Sequence, residues 1–249
     1  MDAAAFESLR TSQQEHWWFR GRRAVVRSLI ANNVELSADA EILEAGCGYG
    51  GNLEMLSEFG RVQAFEYSEE ARAYSDSTFS GNVAWGRLPD RIGFAEKSFD
   101  LIALLDVLEH IEDDRSALSA LAGRLSPAGK IVLTVPALPW LWSEHDEMHH
   151  HFRRYTQSGL ESRIREAGLV PSRIGYFNSL LFPLALAQRG LAKFGIGKGV
   201  DKETPDALLN GILTSVFSSE ASLVNRMKLP IGLSLYAVLE RKNASCHVS

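Results

Sequence analysis

A glycine-rich segment near the start of the chain holds the residues best suited to bind a ligand. It runs Ile42-Leu43-Glu44-Ala45-Gly46-Cys47-Gly48-Tyr49-Gly50-Gly51, where a strand-like stretch leads into glycines and then into a helix-like stretch. Glycine adopts positive φ angles at little cost and lets a ligand approach the backbone closely. Because ligands of α/β sheets bind beyond the carboxyl ends of the strands, the segment predicts a binding site at the end of the first strand.

An acidic residue, Glu66, ends the next predicted strand, 20 residues after Gly46. A carboxylate at that place can accept hydrogen bonds from both hydroxyls of a ribose, so loop and acid together predict a ligand of the adenosine type. The glycines fit two patterns. Gly46, Gly48 and Gly51 match the dinucleotide fingerprint G-x-G-x-x-G. Gly46, Gly48 and Gly50 equally match E-x-G-x-G-x-G.

Several features favour the second pattern. Glu44 places a carboxylate at the end of the first strand, where it would repel a pyrophosphate but attract a ligand that carries an ammonium group. The sequence contains no Tyr-x-x-x-Lys pair of the hydride-transfer kind and no Gly-Lys-Ser/Thr of a P-loop. An NAD(P)-dependent oxidoreductase stays an alternative at this point.

Segments further along the chain, in the same order, resemble the class I S-adenosylmethionine-dependent methyltransferases. The resemblance covers about residues 40–178 and rests on Glu44–Gly50, Phe65–Ser68, Ser98–Ile102, Leu105–Asp113 and Leu125–Lys130. It implies S-adenosylmethionine as the cofactor, with Glu66 at the ribose and Asp106 beside the sulfonium and the substrate. Glu44 and the loop would hold the methionine end. The predicted cofactor-binding set further includes Gly46, Cys47, Gly48, Gly50 and Tyr67.

Two further parts of the cofactor site depend on this resemblance. The family often carries an acidic residue before the Leu-Pro of the third-strand loop, but this chain has none there, so adenine contacts are assigned to the backbone around Gly86, Arg87 and Leu88. The segment His16–Arg23 resembles a subgroup of small-molecule methyltransferases, in which an N-terminal helix covers the cofactor. Arg20 is predicted to pair with the methionine carboxylate. The alternative is that the aromatic residues of this segment pack in the core and its arginines face solvent.

From about residue 40 the sequence alternates between strand-like and helix-like segments, which predicts an α/β fold. The expected architecture is a Rossmann-like, mostly parallel seven-stranded sheet with helices on both faces, an N-terminal lid helix and a helical insertion before the last strand. Strands are predicted at Glu41–Ala45, Val62–Tyr67, Phe99–Leu105, Ile131–Val135 and Gly232–Leu239, the last returning to the sheet edge. Helices are predicted at 6–31, Asn52–Phe59, Glu69–Thr78, Asp113–Leu125 and Ser158–Ala167, and a turn at Pro127–Gly129.

We expect a single methyltransferase domain over residues 1–249. Its parts would be an N-terminal helical lid (1–39), a cofactor-binding core (40–178), a helical insertion or cap with a break at Gly195–Gly199 (179–230), and a final strand (231–241).

A histidine-rich segment, Trp140–Tyr155, follows the fifth predicted strand and therefore lies at the same sheet edge as the glycine loop. Histidine titrates near neutral pH and can accept a proton. The candidate catalytic residues are His145, His149, His150, His151 and Tyr155, one of which would deprotonate an acceptor hydroxyl, while Arg153 or Arg154 would bind an anionic group of the substrate. The alternative is a hydrogen-bonded structural loop.

Two metal-binding patterns are incomplete, and no metal is predicted. His145–His149 misses the H-E-x-x-H zinc helix because its glutamate stands one place late. Asp106-x-x-Glu109-His110 resembles a divalent-ion motif of some quinone-biosynthesis and RNA methyltransferases, which carry Glu where this chain has Asp. The choice between a general base and a metal at this second motif stays open.

Composition excludes several classes of protein. The 249 residues carry a net charge of −5, which argues against a protein that coats nucleic acid. Cys47 and Cys246 do not make a disulfide framework. The apolar run Leu180–Ala187 is far too short to span a membrane. We expect a cytoplasmic enzyme that methylates a small molecule at oxygen, with no nucleic-acid partner, no stable membrane insertion and a homodimer as an option. A catalytically silent, methyltransferase-like subunit that binds the cofactor is the other alternative.

Overall fold

The computed structural model describes residues 13–94, 97–193 and 205–242, in which seven strands form one sheet. The sheet order is β3-β2-β1-β4-β5-β7-β6, with β7 antiparallel to both of its neighbours and the other pairs parallel. The predicted α/β fold is confirmed. The strands are β1 Glu41–Ala45, β2 Arg61–Glu66, β3 Asn82–Trp85, β4 Phe99–Leu105, β5 Leu125–Pro136, β6 Leu169–Phe177 and β7 Ser234–Arg241. Gly195–Gly199 and Cys246 lie outside the described residues.

Eight α-helices accompany these strands in the described part of the chain. They are α1 Trp17–Asn33, α2 Leu53–Ser57, α3 Glu69–Thr78, α4 Asp114–Ala122, α5 Glu144–Met148, α6 Gln157–Glu166, α7 Phe182–Lys193 and α8 Ala207–Leu223. Helix α1 begins at Trp17 because the His16 side chain accepts a hydrogen bond from the backbone N–H of Trp18 and caps the helix. No helix in the described ranges combines the length and the hydropathy that a membrane crossing requires.

Helices cover both faces of the sheet because neighbouring strand residues point to opposite sides. Leu43 packs with helices α4 and α6 on one face, whereas Ile42 packs with α1 and α2 on the other. On β4, Ile102 and Leu101 divide in the same way. The sheet is thus the middle layer of three, and its carboxyl edge is left for the loops that follow the strands.

The predicted place of the last strand is wrong. Strand β7 lies between β5 and β6 instead of at the sheet edge, and it pairs with both. Its run from Ser234 to Leu239 is buried at every position, a pattern typical of a strand that is covered on both faces.

The predicted turn at Pro127–Gly129 is also wrong, since these residues belong to β5. The pairing of β5 with β4 jumps from Leu125 opposite Phe99 to Lys130 opposite Leu101, so the extra residues are absorbed as an irregularity within the strand. A Cβ on Gly129 would lie 2.5 Å from the carbonyl oxygen of Phe99. Glycine is needed there for a close backbone approach, not for a turn.

The N-terminal helix α1 and the late helix α8 form one packed pair. A Cβ on Gly21 would lie 2.3 Å from the ring of Phe217, which is fully buried. The Asn210 side chain accepts a hydrogen bond from the backbone N–H of Trp17 at 2.8 Å and donates to the carbonyl of Glu15 at 2.9 Å. Helix α8, which lies in the segment predicted as an insertion, therefore fixes the position of α1.

Candidate functional site

The glycine loop between β1 and α2 has the backbone geometry that its sequence predicts. Gly46, Gly48 and Gly50 have φ angles of +77°, +54° and +80°, a region that residues with a Cβ seldom adopt. The backbone N–H groups of Gly46 and Cys47 donate to the carbonyl of Phe65 on β2, at 2.9 and 3.2 Å. A Cβ on Gly48 would meet no described heavy atom within 4 Å. The loop is therefore held against β2 and open at Gly48.

Glu66 lies against this loop. One carboxylate oxygen accepts from the backbone N–H of Gly48 at 2.9 Å, and the other accepts from that of Ser68 at 2.7 Å. Each oxygen keeps a second lone pair, so the carboxylate can still accept hydrogen bonds from a ligand. The structure thus brings together the loop and the acid that the sequence pairs.

Tyr67 and the third-strand loop continue the same edge of the sheet. Tyr67 is 61% exposed, and its ring centroid lies 6.0 Å from that of Trp85. Gly86 is buried and donates from its backbone N–H to the carbonyl of Glu66 at 3.1 Å. Leu88 is buried, whereas Arg87 is exposed with its guanidinium 5.8 Å from the Tyr67 ring. These residues form a partly apolar wall beyond Glu66.

Glu44 ends up buried below the glycine loop, with 1% of its surface exposed. The side-chain amide of Asn52 donates to one of its carboxylate oxygens at 2.7 Å. The other oxygen, Oε2, is buried and has no hydrogen-bond partner among the described residues. Burial raises the pKa of Glu44 to about 7. Burial, assisted by nearby Glu44, also raises the pKa of the Cys47 thiol, so Cys47 is no thiolate nucleophile.

Arg22 reaches the site from α1, whereas Arg20, predicted to pair with the methionine carboxylate, does not point toward it. Arg22 forms an ion pair with Asp106 and donates to the side-chain oxygen of Asn52 at 3.2 Å. Arg20 is exposed and lines a groove between α1 and α8 instead. Residues two positions apart point to opposite sides of a helix. The apolar residues show which side is inward, because Arg22 shares a helical face with the buried Val25, Val26 and Leu29.

Asp106 follows β4 and stands at the predicted position, in an unusual backbone conformation with a φ of +55°. Its backbone N–H donates to the carbonyl of Thr134 on β5 at 3.0 Å. Its carboxylate forms an ion pair with Arg22. The guanidinium of Arg22 also lies 4.9 Å from the Trp18 ring. Helix α1 therefore covers the ends of β1 and β4 and contributes one cation to them.

The histidine-rich segment folds over a short 3₁₀ turn, Leu108–His110, that follows Asp106. The backbone N–H of Phe152 donates to the carbonyl of Glu109 at 2.8 Å and anchors the segment there. The ring centroids of His110 and His151 lie 4.6 Å apart. His145 and His149 form a second pair at 4.3 Å. His150 is exposed, with a φ of +54°.

Two of the imidazoles in this cluster, His110 and His149, are poor bases. Burial, together with His151 and His149, lowers the pKa of His110 to about 3. Burial and the neighbouring His145 lower the pKa of His149 to about 4. These rings are neutral near pH 7 and have lone pairs available. One ligand atom from each of Glu109, His110 and His151 lies within 4.8 Å of the others, so these three side chains are within reach of one ion.

Tyr155, predicted as a catalytic residue, is buried and joins the loop to Asp114 on α4. Its hydroxyl donates to Asp114 at 3.0 Å, and burial raises its pKa above the ordinary value. The predicted substrate-binding arginines are likewise occupied. Arg153 pairs with Asp114 at 3.0 Å, and Arg154 pairs with Asp146 at 2.7 Å. Sequence reasoning could not distinguish supporting residues from substrate-binding ones, because the distinction depends on two buried carboxylates. Asp114 belongs to α4, far from the loop along the chain, and Asp146 belongs to α5 within the loop.

Comparisons with known sequences identify a methyltransferase domain in this chain. A family model described as "Methyltransferase domain" matches residues 18–172. A Mycobacterium tuberculosis protein named "Probable S-adenosylmethionine-dependent methyltransferase" is 28% identical over 165 residues, 63% of this chain and 57% of that protein. A ubiquinone biosynthesis O-methyltransferase of Xanthomonas euvesicatoria is 30% identical over 111 residues, 42% of this chain and 46% of that protein. The chain spans about half the length of the curated relatives it matches.

Solved structures share the fold. A methyltransferase in complex with the Haloferax volcanii Trm112 methyltransferase activator superposes with a TM-score of 0.60 at 18% identity, over 98% of this chain and 96% of that chain. An S-adenosylmethionine-dependent methyltransferase of Mesorhizobium loti gives 0.58 at 16% identity, over 88% of this chain and 98% of that chain.

The residues of this chain fit the cofactor that the family uses. Gly48 leaves open space, Glu66 keeps free lone pairs, and Glu44 holds a buried carboxylate oxygen that no described residue satisfies. With the family model matching well over half of its length, this chain belongs to the class I S-adenosylmethionine-dependent methyltransferases.

Proposed function

We propose that this protein transfers the methyl group of S-adenosylmethionine to a hydroxyl oxygen of a small molecule. The observation that carries the proposal is the combination of the open glycine loop, the anchored Glu66 and the unpartnered oxygen of Glu44 at one sheet edge. These three features supply space for a nucleoside, acceptors for its ribose and a negative charge for the ammonium of its methionine end.

Each residue has a defined part in this proposal. Glu66 accepts hydrogen bonds from the ribose, and the backbone of Gly86, Arg87 and Leu88 borders the adenine. Glu44 binds the ammonium. Arg22 takes the role expected of Arg20, since it is the cation that α1 brings to the ends of β1 and β4. Asp106 lies next to the sulfonium and the acceptor.

The bound cofactor supplies an electrophilic methyl carbon on a positively charged sulfur. The protein has to hold the acceptor oxygen about 3–3.5 Å from that carbon and in line with the bond to sulfur. A new bond forms between oxygen and carbon while the carbon–sulfur bond breaks and leaves its electron pair on sulfur. The hydroxyl proton passes to a base or to water. Helix α1 above the site excludes water from the reacting atoms.

Oxygen as the accepting atom is supported by two observations. The Xanthomonas relative is named an O-methyltransferase. The Asn/Asp-Pro-Pro-Tyr/Phe motif of enzymes that methylate amino groups of nucleic acids and proteins does not occur in the sequence. The net charge of −5 supports a small-molecule substrate over a nucleic acid. We further propose a single domain and a cytoplasmic location, with a homodimer as a state to be measured.

Cofactor binding is tested by calorimetry with S-adenosylhomocysteine and, in parallel, with NAD⁺ and NADP⁺. We expect binding of S-adenosylhomocysteine alone. Gly48→Ala should weaken it about tenfold or more, because the new Cβ enters the ligand space and the φ of +54° is strained with a side chain. Gly168→Ala is a matched control, since Gly168 has a φ of +79° and equally open surroundings but lies before β6. Equal loss in both variants would contradict the proposed binding site.

The acceptor is sought by measuring release of S-adenosylhomocysteine with a panel of phenols, catechols, sugars and amines. Turnover with a hydroxyl compound supports the proposal. Turnover with amines alone would overturn oxygen as the accepting atom. Tight cofactor binding with no turnover on any class would favour the catalytically silent subunit, and binding of NAD(P) alone would favour the oxidoreductase.

A further inference from the structure

A groove runs between helices α1 and α8, outside the proposed cofactor site. Its volume is about 270 Å³. The residues that line it are Arg20, Arg23, Ala24, Arg27, Thr214 and Ser218. None of these six side chains is acidic, and none has a part in the proposed function. The groove is therefore a separate, basic feature of the surface.

Hydrogen bonds join the two helices at both ends of the groove and fix its shape. Near the amino ends of the helices, the backbone N–H of Trp17 donates to the side chain of Asn210 at 2.8 Å. Near their carboxyl ends, the hydroxyl of Ser28 donates to the carbonyl of Ala221 at 2.5 Å. Ala24 lies between these points, and its short side chain leaves the space open.

Two of the three arginines in the groove carry a charge that no carboxylate neutralises. Arg20, Arg23 and Arg27 are spaced three and four residues apart and so share one face of α1. Arg27 forms two hydrogen bonds with the carboxylate of Glu58, at 2.6 and 2.8 Å. Arg23 donates to uncharged backbone carbonyls, at 2.5 to 3.3 Å. The guanidinium of Arg20 has no acceptor among the described residues.

The arginines of α1 also repel one another. Burial and the charges of Arg22, Arg20 and Arg27 lower the pKa of Arg23 to about 10, and the nearby charge of Glu54 opposes this effect only in part. A negatively charged ligand in the groove would relieve this repulsion. The surplus of positive charge is local, since the whole chain has a net charge of −5.

Helix α8 adds hydroxyl groups from the opposite wall. Thr214 and Ser218 are four residues apart and therefore share the helical face that lines the groove. The hydroxyl of Thr214 donates to the carbonyl of Asn210 at 2.7 Å. The hydroxyl of Ser218 has no partner in the described part of the chain and is available as a donor. Arginine guanidinium groups and hydroxyl donors are well suited to bind the oxygens of a phosphate.

We propose that this groove binds the phosphate group of a phosphorylated small molecule or of a lipid headgroup, at a second site apart from the cofactor. Two uncompensated guanidinium groups match the charge of a phosphate monoester, which is about −1.5 to −2 at pH 7. Arg20 and Arg23 are separated by about 4.5 Å along the helix axis, so both side chains can reach the oxygens of one phosphate. Ser218 donates to the same group from α8.

A phosphate in the groove would tie α1 to α8, because it accepts hydrogen bonds from both helices. The consequence for the cofactor rests on the proposed function, in which α1 covers the site and carries Arg22. A phosphate that holds α1 in place should raise the affinity for S-adenosylhomocysteine about fivefold or more, and S-adenosylhomocysteine should raise the affinity for the phosphate by the same factor.

Phosphate binding is measured first and without the cofactor. The full-length protein, in a buffer free of phosphate, is titrated by calorimetry with glycerol 3-phosphate and, as a control anion, with acetate. We expect one equivalent of glycerol 3-phosphate, an affinity that falls as the salt concentration rises, and no saturable binding of acetate.

Three variants locate the site. Arg20→Ala should weaken binding of glycerol 3-phosphate about tenfold or more, because the phosphate loses a charge-assisted hydrogen bond. Ala24→Leu should prevent binding, because the larger side chain fills the groove while every arginine is kept. Arg115→Ala is the matched control, since Arg115 is an exposed arginine on α4, on the other face of the sheet, and should bind as the wild type.

Several results would overturn the inference. These are a protein that does not bind glycerol 3-phosphate, equal binding of acetate, wild-type binding in Arg20→Ala or in Ala24→Leu, or an equal loss in Arg20→Ala and Arg115→Ala. The last result would indicate a general attraction of anions to surface arginines. Arg20→Ala decides the matter where Ala24→Leu lowers the melting temperature, because Arg20 is exposed and its replacement should leave the fold intact.

The source of the phosphate is distinguished by sedimentation with vesicles of phosphatidylcholine, with and without phosphatidic acid. Leu208 and Ile212 on α8 are 76% and 52% exposed, which would favour contact with lipid. Cosedimentation that requires phosphatidic acid and is lost in Arg20→Ala would identify a lipid headgroup. Binding of glycerol 3-phosphate without cosedimentation would identify a soluble phosphorylated compound.

The affinity for S-adenosylhomocysteine is then measured with and without glycerol 3-phosphate. An unchanged affinity would refute the coupling through α1. A protein that binds glycerol 3-phosphate but not S-adenosylhomocysteine would refute the proposed function and leave the phosphate site standing. Binding of S-adenosylhomocysteine in a protein that takes up no glycerol 3-phosphate would refute the phosphate site and leave the proposed function standing.

Discussion

Binding of the cofactor should be coupled to the loss of a proton from Glu44. This carboxyl is 1% exposed, and burial raises its pKa to about 7, although the hydrogen bond from Asn52 and the charge of Arg22 oppose the rise. At pH 6 most of the free protein therefore carries a neutral Glu44. The ammonium of the methionine end favours the ionised form once it lies beside the unpartnered Oε2.

The size of the effect follows from the two pKa values. If the ammonium returns the pKa from about 7 to its ordinary 4.5, the coupling is about 3.4 kcal/mol. A group protonated in the free state and ionised in the complex makes affinity rise with pH up to its free-state pKa. Affinity for S-adenosylhomocysteine should therefore fall about 20-fold between pH 7.5 and pH 5.5.

The assay is isothermal titration at pH 5.5, 6.5 and 7.5, in pairs of buffers with different ionisation enthalpies. Release of about 0.75 proton per ligand is expected at pH 6.5. Glu44→Gln should bind more weakly and lose both the pH dependence and the proton release. Glu54→Gln, an exposed acid on α2, is the control and should behave as the wild type. A flat pH profile in the wild type, or a slope that survives in Glu44→Gln, would refute the reasoning.

Two further predictions concern Arg22 and Tyr155, whose contacts in the structure bear on the roles proposed for them. Arg22→Ala should cost about 1–3 kcal/mol of stability, because it leaves the partly buried Asp106 without its partner, and should weaken S-adenosylhomocysteine binding. In denaturant unfolding, Arg20→Ala should change the free energy of unfolding by no more than about 0.5 kcal/mol, as expected for an exposed site. Equal effects of Arg22→Ala and Arg20→Ala would contradict the assignment of Arg22. Tyr155→Phe should lower stability by about 1–3 kcal/mol, since Asp114 loses a buried hydrogen bond, while kcat stays within about twofold because Tyr155 does not touch the reacting atoms. A large fall in kcat with an unchanged melting temperature would restore Tyr155 as a catalytic residue.

The meeting of the glycine loop with Glu66, at the proposed cofactor site, was the part that the sequence could predict. Glu66 meets Gly48 because both belong to one strand–helix–strand unit, in which the spacing along the chain fixes the spacing in space. The positive φ angles of the loop follow from glycine itself. Local periodicity would also have indicated Arg22, whose helical face carries Val25 and Leu29.

The acceptor side depends on contacts between distant segments, which no local pattern reveals. The apolar run of β7 indicated a buried strand, but its place between β5 and β6 is set by pairing across more than 50 residues. His151 meets Glu109 because the histidine-rich segment is tied to the 3₁₀ turn by one backbone hydrogen bond. The burial of Asp114 and Asp146 then decides which arginines and which tyrosine are available to a substrate.

The close fit of Gly21 against Phe217 joins the beginning of the chain to a helix almost 200 residues later. Whatever movement admits a ligand beneath Arg22 must carry α1 and α8 as a unit, because separating them would expose Trp17, Leu213 and Phe217 to water. A shortened chain that starts after α1 would lose a helix that belongs to the packed core. It would lose one of the two helices of the α1–α8 pair, together with Arg22, the cation that α1 brings to the carboxylate of Asp106.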